Sequence, residues 1–220
     1  MSLTAHLVKD AGVILLLLLV SMLGDGLLTT GIIQQSDFLR ALIDNITHGL
    51  IAVISWVLVA VSGTATRSDE PSSIFLKSLL AEALLCGLIA CVVDLDHFMM
   101  AKSFRLKDAL NLGSRPPFHC TSVLFLASFF IVIFAIILKI SWLVKLGLLF
   151  TVAVLSHHLR DSVRRGLWLW PLGSTRPLAY WLYCILLVSL PLLVQILIRC
   201  IDSWQQTSPK SSKSTNILLV

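Results

Sequence analysis

Long, uninterrupted apolar runs dominate this chain and restrict what it can fold into. Runs such as VILLLLLV and FLASFFIVIFAIIL do not alternate polar with apolar residues, so they do not match the strands of a transmembrane barrel. A helix needs about 20 apolar residues to cross a hydrocarbon core of roughly 30 Å. Because lipid offers the backbone no hydrogen-bond partners, each such segment is predicted to be a helix. Segments of this length lie near residues 12–33, 43–63, 74–98, 119–139, 142–160 and 178–200.

The composition excludes a soluble domain. Hydrophobic residues make up 57% of the 220 residues and charged residues only 13%, whereas soluble domains carry about 25% charged residues. The first apolar segment is long, carries Asp25 late and is not followed by the small-residue cleavage pattern of a signal peptide, so we expect it to be retained. We therefore predict an all-α, multi-pass integral membrane protein, a helical bundle of about six transmembrane helices over residues 1–204. Residues 205–220 are predicted to form a polar, disordered tail.

The polar connections indicate contact with lipid. A short polar loop is predicted over residues 64–73, and a longer basic one over residues 99–118. The longer loop combines Phe104 and Leu106 with cationic neighbours such as Arg105, a pattern typical of a helix that lies in the membrane interface. The net charge of +5 occurs without a basic, aromatic-interleaved soluble module. These features favour membrane lipids as partners and argue against nucleic acid.

Acidic and histidine side chains, which hydrocarbon should exclude, occur at the ends of the apolar segments. If successive segments cross the membrane in alternating directions, these residues all fall on one side. They are Asp25, Asp44, His48, Asp94, Asp96, His97, His119, His157, His158 and Asp161. The side they face is left open, because lysine and arginine are divided almost equally between the two sides.

Pairs within this set have helical spacing. The pairs are Asp44 and His48, Asp94 and His97, and His157 and Asp161, with His158 and Asp161 as a rival to the last. Residues three or four apart lie on one helical face, so each pair can supply two metal ligands, or one ligand and the carboxylate that orients it. Mixed imidazole and carboxylate donors suit zinc, manganese or iron better than calcium, and no C-x-x-C spacing indicates a thiolate site. We predict a divalent-metal site, with zinc or manganese as the preferred ion.

Other interpretations of the same residues stay open. The acids could form a structural network in which Asp44, Asp94 and Asp161 pair with arginines, namely Arg40, Arg115 and Arg160. A cation or proton transporter would need polar groups continuing across the bilayer, whereas these stop at one face apart from Glu82. A non-catalytic scaffold would keep the fold and bind metal weakly or not at all.

Longer stretches of the sequence closely resemble the transmembrane protein 267 family of eukaryotic multi-pass proteins. The stretches are IIQQSDFLRALIDNITHG (32–49), DLDHFMMAKSFRLKDALNLGSRPPFHC (94–120) and SHHLRDSVRRGLWLWPLGSTRPLAYWLY (156–183). More remotely, the pattern is similar to bacterial inner-membrane proteins that are regulated by LexA and predicted to be metal-dependent hydrolases. Those proteins carry an early His, an Asp-x-Asp-His, an Arg before a Thr-x-His type element, and a His-x-x-x-Asp followed by Gly and Pro.

The resemblance implies roles for individual residues. The residues implicated as metal ligands or their orienters are His48, Asp94, His97, His119, His157 and Asp161. With the metal bound by these residues, Asp96 is predicted to be the general base and Arg115 to clamp an anionic group such as a phosphate. Gly166 and Pro171 are expected to shape a loop. Ser114 stands where the bacterial pattern usually has a further histidine, so this chain has one candidate ligand fewer for a two-metal site. The predicted function is metal-dependent hydrolysis of a lipid-borne ester or phosphoester.

Overall fold

The structure is a computed structural model that describes residues 3–63 and 72–207. Nearly all of these residues are helical, which confirms the prediction of an all-α membrane bundle. Most of the predicted loop over residues 64–73 and most of the predicted tail over residues 205–220 lie outside the described residues.

Long helices joined by short ones make up the chain. The helices are α1 (Leu3–Leu28), α2 (Gly31–Gln34), α3 (Asp37–Gly63), α4 (Ser72–Val92), α5 (Leu95–Ala101), α6 (Leu106–Leu110), α7 (Thr121–Ile137), α8 (Ser141–Arg165) and α9 (Tyr180–Thr207). A turn of 3-10 helix, Pro117–His119, precedes α7. A small antiparallel hairpin of β1 (Trp168–Leu169) and β2 (Gly173–Ser174) separates α8 from α9.

Five helices of the described residues are long and apolar enough to cross a membrane. They cover Asp10–Leu28, Asp37–Val61, Ser73–Ala101, Ser141–Arg165 and Tyr180–Trp204. The remaining predicted segment, 119–139, contains α7, which has 17 residues. Such a helix is about 26 Å long, which is less than the full hydrocarbon core. It is shorter than predicted because the 3-10 turn precedes it and Lys139 (φ 57°) adopts a left-handed conformation just beyond its end.

Helices α3 and α8 form the centre of the bundle. They pack against each other and both contact α4 and α9, while α1 lies on α3 and α7 lies on α8. At the crossing of α3 and α4, a Cβ atom on Gly87 would lie 2.9 Å from the carbonyl oxygen of Gly49. Small residues at such a crossing allow two helical backbones to approach closely in a membrane.

The one intramembrane acid for which the sequence indicated no role, Glu82, is ion-paired in the bundle. Its Oε1 lies 2.9 Å from Nζ of Lys145, so the pair joins α4 to α8. Trp56 of α3 donates its indole N–H to Oε2 at 3.1 Å. Glu82 therefore belongs to a contact between three helices, and its charge is compensated within the protein.

The segment predicted to be an interfacial helix over residues 99–118 is not one continuous helix. Helix α5 ends at Ala101 because Lys102 adopts a left-handed conformation (φ 50°), and only α6 is α-helical in the rest of the segment. The hydroxyl of Ser103 donates to the carboxylate of Asp108 at 2.6 Å and accepts the N–H of Arg105 at 3.2 Å. Such local hydrogen bonds compete with the helical ones and explain the difference.

Candidate metal centre

Four side-chain atoms from three parts of the chain lie close together at one end of the bundle. They are Oδ1 of Asp94 after α4, Nε2 of His119 before α7, and Nε2 of His157 and Oδ2 of Asp161 in α8. His119 Nε2 lies 3.4 Å from each of the other three atoms. His157 Nε2 lies 3.5 Å from the Asp94 oxygen and 3.6 Å from the Asp161 oxygen.

These separations fit the size of a metal ion. Zinc bonds to imidazole nitrogen and carboxylate oxygen are about 2.0–2.2 Å long, so the ligand atoms of a tetrahedral site stand about 3.3–3.6 Å apart. The separations measured around His119 and His157 are 3.4–3.6 Å. The donor set, two imidazoles and two carboxylates, is also one that zinc, manganese and iron accept.

Both imidazoles are held with the Nε2 atom toward the other donors. Nδ1 of His157 donates to the carbonyl oxygen of Ala90 at 2.9 Å, which leaves Nε2 free to act as a ligand. Nδ1 of His119 lies 3.4 Å and 3.5 Å from the two oxygens of Asp96. Asp96 also accepts the N–H of Phe118 at 2.6 Å and is only 1% exposed. This predicted general base therefore lies behind His119, in the place of an orienting carboxylate.

In each carboxylate, the oxygen that does not face the other donors contacts a neighbouring side chain. Asn45 donates its side-chain N–H to Oδ2 of Asp94 at 3.3 Å. Nε2 of His48 lies 3.4 Å from Oδ1 of Asp161. All four donors thus have a neighbour that sets their direction, as the outer shell of a metal site requires. Sequence reasoning missed Asn45, because an amide next to the more conspicuous Asp44 carries no signal of its own.

His48 and His158 take positions beside the four-atom group. The ring of His48 stacks on that of His157, with centroids 3.8 Å apart and an angle of 19° between the planes. His48 also forms a possible metal-binding group with His157 and Asp161, because the ligand atoms of these three residues all lie within 4.8 Å of one another. Nε2 of His158 instead donates to the carbonyl oxygen of Phe118 at 2.8 Å. The pairing of His157, rather than His158, with Asp161 is the one found in the structure.

His97 lies between the site and the surface. Its Nδ1 is 3.2 Å from Oδ1 of Asp96 and 3.9 Å from Oδ1 of Asp94. With Asp94 and His119 it forms a second donor group whose ligand atoms lie within 4.8 Å of one another. Its side chain is 19% exposed, more than that of any other histidine in the cluster.

The electrostatics of the site favour a cation. Burial lowers the pKa of His119, but hydrogen bonds to the carboxylates of Asp161, Asp94 and Asp96 outweigh it and raise this pKa to about 11. The carboxylates therefore stabilise positive charge at this point. A divalent ion between the same carboxylates would supply that charge directly.

Asp25 and Asp44 belong to a separate ion-pair network. The buried guanidinium of Arg160 lies 2.9 Å from Oδ1 of Asp25 and 2.6 Å from Oδ1 of Asp44, so it joins α8 to α1 and α3. Arg164 donates to both oxygens of Asp44, and the hydroxyl of Tyr180 donates to Asp25 at 3.0 Å. For Asp44 the structural interpretation of the sequence applies, and Asp25, which that interpretation did not include, joins the same network.

Comparison with known proteins relates the chain to a family. Residues 43–220 match the model of the YdjM inner membrane protein family. The chain is 37% identical to transmembrane protein 267 of Danio rerio over 195 residues, which are 88% of this chain and 82% of that protein. It is 40% identical to the Xenopus laevis protein of that name, over 79% of this chain and 75% of the relative, and 38% identical to the Mus musculus protein, over 86% and 83%. The chain belongs to the transmembrane protein 267 family and the YdjM inner membrane protein family.

Membership of these families confirms the resemblance noted in the sequence. Together with the five apolar helices, it makes the chain an integral, multi-pass membrane protein. No solved structure matches the chain.

Arg115, which was predicted to clamp an anionic group, contacts the main chain. Its Nη1 donates to the carbonyl oxygen of Gly166 at 3.2 Å, and its Nη2 donates to the carbonyl oxygen of Arg165. Gly166 has a φ of +70°, and a Cβ atom there would overlap the carbonyl of Thr175. Arg115 and Gly166 therefore hold together the turn that follows α8.

A cleft of about 380 Å³ leads to the donor atoms. Its lining includes the site residues Asp94, His97 and Asp161, the arginines Arg40, Arg164 and Arg165, and the apolar residues Phe98, Leu106 and Leu110. The cleft thus combines a cationic wall, an apolar wall and two of the four donors. Arg165 was not singled out in the sequence, because adjacent arginines at a helix C-terminus are expected from the helix dipole alone.

Proposed function

We propose that this protein binds one divalent metal ion, zinc or manganese, at a membrane face and uses it to hydrolyse an ester or phosphoester carried by a lipid. The observation that carries the proposal is the spacing of the donor atoms: the two imidazole nitrogens lie 3.4 Å from each other and 3.4–3.6 Å from both carboxylate oxygens, and the second polar atom of each donor is held by a neighbour. The residues that would hold the ion are Asp94, His119, His157 and Asp161.

Each part of the site has a role in this proposal. When bound, the ion polarises an ester oxygen and makes water a stronger nucleophile at neutral pH. Asp94 and Asp161 line the cleft while His157 is fully buried, which supports an approach of the substrate from the carboxylate side. His97 lines the same cleft beside Asp96, so it can hold or move a proton next to the substrate. In this arrangement Asp96 orients its neighbours and His97 takes over the proton transfer that the sequence assigned to Asp96.

The number of donors also favours a second candidate, a non-catalytic scaffold with a structural metal. Catalytic zinc sites keep a position open beside three protein ligands, whereas four protein ligands complete a tetrahedral site. A metal that accepts six ligands, such as manganese, would retain open positions beside the same four donors. Manganese would serve the hydrolase with all four donors bound, whereas zinc would do so only if one of the four were not a ligand.

The first test is metal content, measured by plasma mass spectrometry on detergent-purified protein. Wild type is compared with a His157→Ala/Asp161→Ala double variant and with Asp108→Asn as a control. Asp108 is an exposed carboxylate whose hydrogen bond goes to Ser103, outside the site. We expect about one equivalent of metal in wild type and control, and none in the double variant. Wild type that holds no metal, even after incubation with zinc and with manganese, contradicts the proposal.

The second test addresses hydrolysis. Metal-loaded wild type and the double variant are reconstituted into vesicles that contain a panel of ester and phosphoester lipids, and release of soluble headgroup is measured. We expect release by wild type only. Stoichiometric metal with no release from any lipid of the panel would favour the scaffold.

A further inference from the structure

Arg165 stands out among the arginines of the cleft because its guanidinium has no ion-pair partner among residues 3–63 and 72–207. It is the exposed last residue of α8, and no hydrogen bond or ion pair of its guanidinium is found in the described part of the chain. Arg165 lines the main cleft, a neighbouring cavity of about 300 Å³ and a small pocket beside His119. Arg165 thus stands where these spaces meet, and its guanidinium donors have no partner among the described residues.

The other arginines of the cleft are already occupied. Arg40 lies 2.8 Å from Oδ1 of Asp37. Arg164 donates to both carboxylate oxygens of Asp44, at 2.6 Å and 3.1 Å. Each of these arginines would have to break an ion pair before it could bind an anion, whereas Arg165 would not.

The position of Arg165 is set by its surroundings. The carbonyl oxygens of Arg165 and Gly166 both accept hydrogen bonds from Arg115, so the main chain that carries Arg165 is tied to the loop before α7. The same cleft contains the carboxylates of Asp94 and Asp161. A ligand held by Arg165 would therefore lie beside the donors of the metal centre.

We propose that Arg165 is the anion-recognising residue of this cleft and that the ligand is a phosphate-bearing group, either a lipid headgroup or free phosphate. The planar guanidinium matches the oxygens of a phosphate and can bind two of them at once. A cleft of about 380 Å³ is within the range of small-molecule sites, and Leu106 and Leu110 add an apolar wall. The proposal rests on the proposed function, because it places the phosphate next to a bound metal.

The test measures anion binding by calorimetry on metal-loaded protein in a non-ionic detergent. The probes are inorganic phosphate, dihexanoyl phosphatidic acid and, as a zwitterionic comparison, dihexanoyl phosphatidylcholine. The variants are Arg165→Gln, Arg165→Lys and the control Arg105→Gln, which removes the same charge from an exposed residue outside the cleft. We expect the affinity for phosphatidic acid or phosphate to fall about tenfold or more in Arg165→Gln. Arg165→Lys should be intermediate because it keeps the charge without the planar fork, and the control should stay within about twofold of wild type.

The outcomes separate this inference from the proposed function. Tighter binding of phosphatidic acid than of inorganic phosphate identifies a lipid headgroup as the ligand, and equal binding identifies free phosphate. Equal anion affinity in wild type and both Arg165 variants, with metal content unchanged, overturns the inference and leaves the metal site intact. Absence of metal from wild type overturns the proposed function itself.

Discussion

Replacing Asp96 by asparagine distinguishes the two roles open to this buried carboxylate. As a general base, the role predicted from the sequence, it would act on the reacting molecule. As an orienting group, it would act through His119, whose Nδ1 lies 3.4 Å and 3.5 Å from its two oxygens. Asparagine preserves the shape and can still accept the N–H of Phe118, so the turn before α7 should remain intact.

The size of the effect follows from the contacts. Loss of an orienting partner of a metal ligand costs about 10–100-fold in metal affinity. The contacts from Asp96 to His119 are long, at 3.4–3.5 Å, so we expect the lower end of this range. A tenfold loss corresponds to about 1.4 kcal/mol. Removal of a general base would instead slow the reaction by about 10²–10⁴-fold even at saturating metal.

The assay is a competition titration of metal against a chromophoric chelator, followed by a rate measurement at saturating metal. We expect Asp96→Asn to bind metal about tenfold more weakly than wild type and to regain most of its activity when metal is in excess. Asp108→Asn should match wild type in both measurements. Unchanged metal affinity together with a large loss of rate at saturating metal would refute the orienting role and support a general base.

Two further substitutions test the contacts that hold the helix ends together. Arg160→Leu leaves the carboxylates of Asp25 and Asp44 without their shared partner, which costs about 3–5 kcal/mol for a fully buried pair. Because both carboxylates are about a quarter exposed, we expect the free energy of unfolding to fall by about 3 kcal/mol, which is measured as a lower Tm in detergent. An unchanged Tm would show that water replaces the ion pair. Gly87→Ala places a methyl group against the backbone of α3 and should cost about 1–3 kcal/mol. Gly12→Ala, which meets no atom within 4 Å, should not lower Tm, and equal Tm values for the two alanine variants would contradict the close crossing of α3 and α4.

The class of fold could be predicted because the physics that sets it is local. Each apolar segment satisfies its own backbone hydrogen bonds, so length and hydropathy are sufficient to indicate a helix. The interfacial segment was not predicted correctly, because side-chain hydrogen bonds such as that from Ser103 to Asp108 break its helical pattern. Helix α7 is short partly because Lys139, just beyond its end, adopts a left-handed conformation. The sequence did not indicate this, because glycine is the usual signal for that conformation and the position is a lysine.

The sequence also predicted that the acids and histidines lie together at one end of the bundle. Consecutive helices cross the membrane in opposite directions, and these residues occur at the helix ends that face the same side. Their individual positions did not follow. The sequence treated His48 and His157 alike, yet their rings stack on each other, and only His157 presents its Nε2 to Asp94, which follows α4, and to His119, which precedes α7. That difference depends on how α3 and α8 are rotated about their own axes, which hydropathy does not specify.

An all-α membrane bundle with a polar, histidine-rich end follows from the amino-acid sequence, because the cost of leaving polar groups in lipid acts on every segment separately. The folded bundle is needed to know which atoms meet within about 3.5 Å, which acids Arg160 neutralises, and which arginine of the cleft has no partner among the described residues. These choices depend on side-chain directions at contacts between helices. Such contacts join residues far apart in the chain, and their geometry is set by packing.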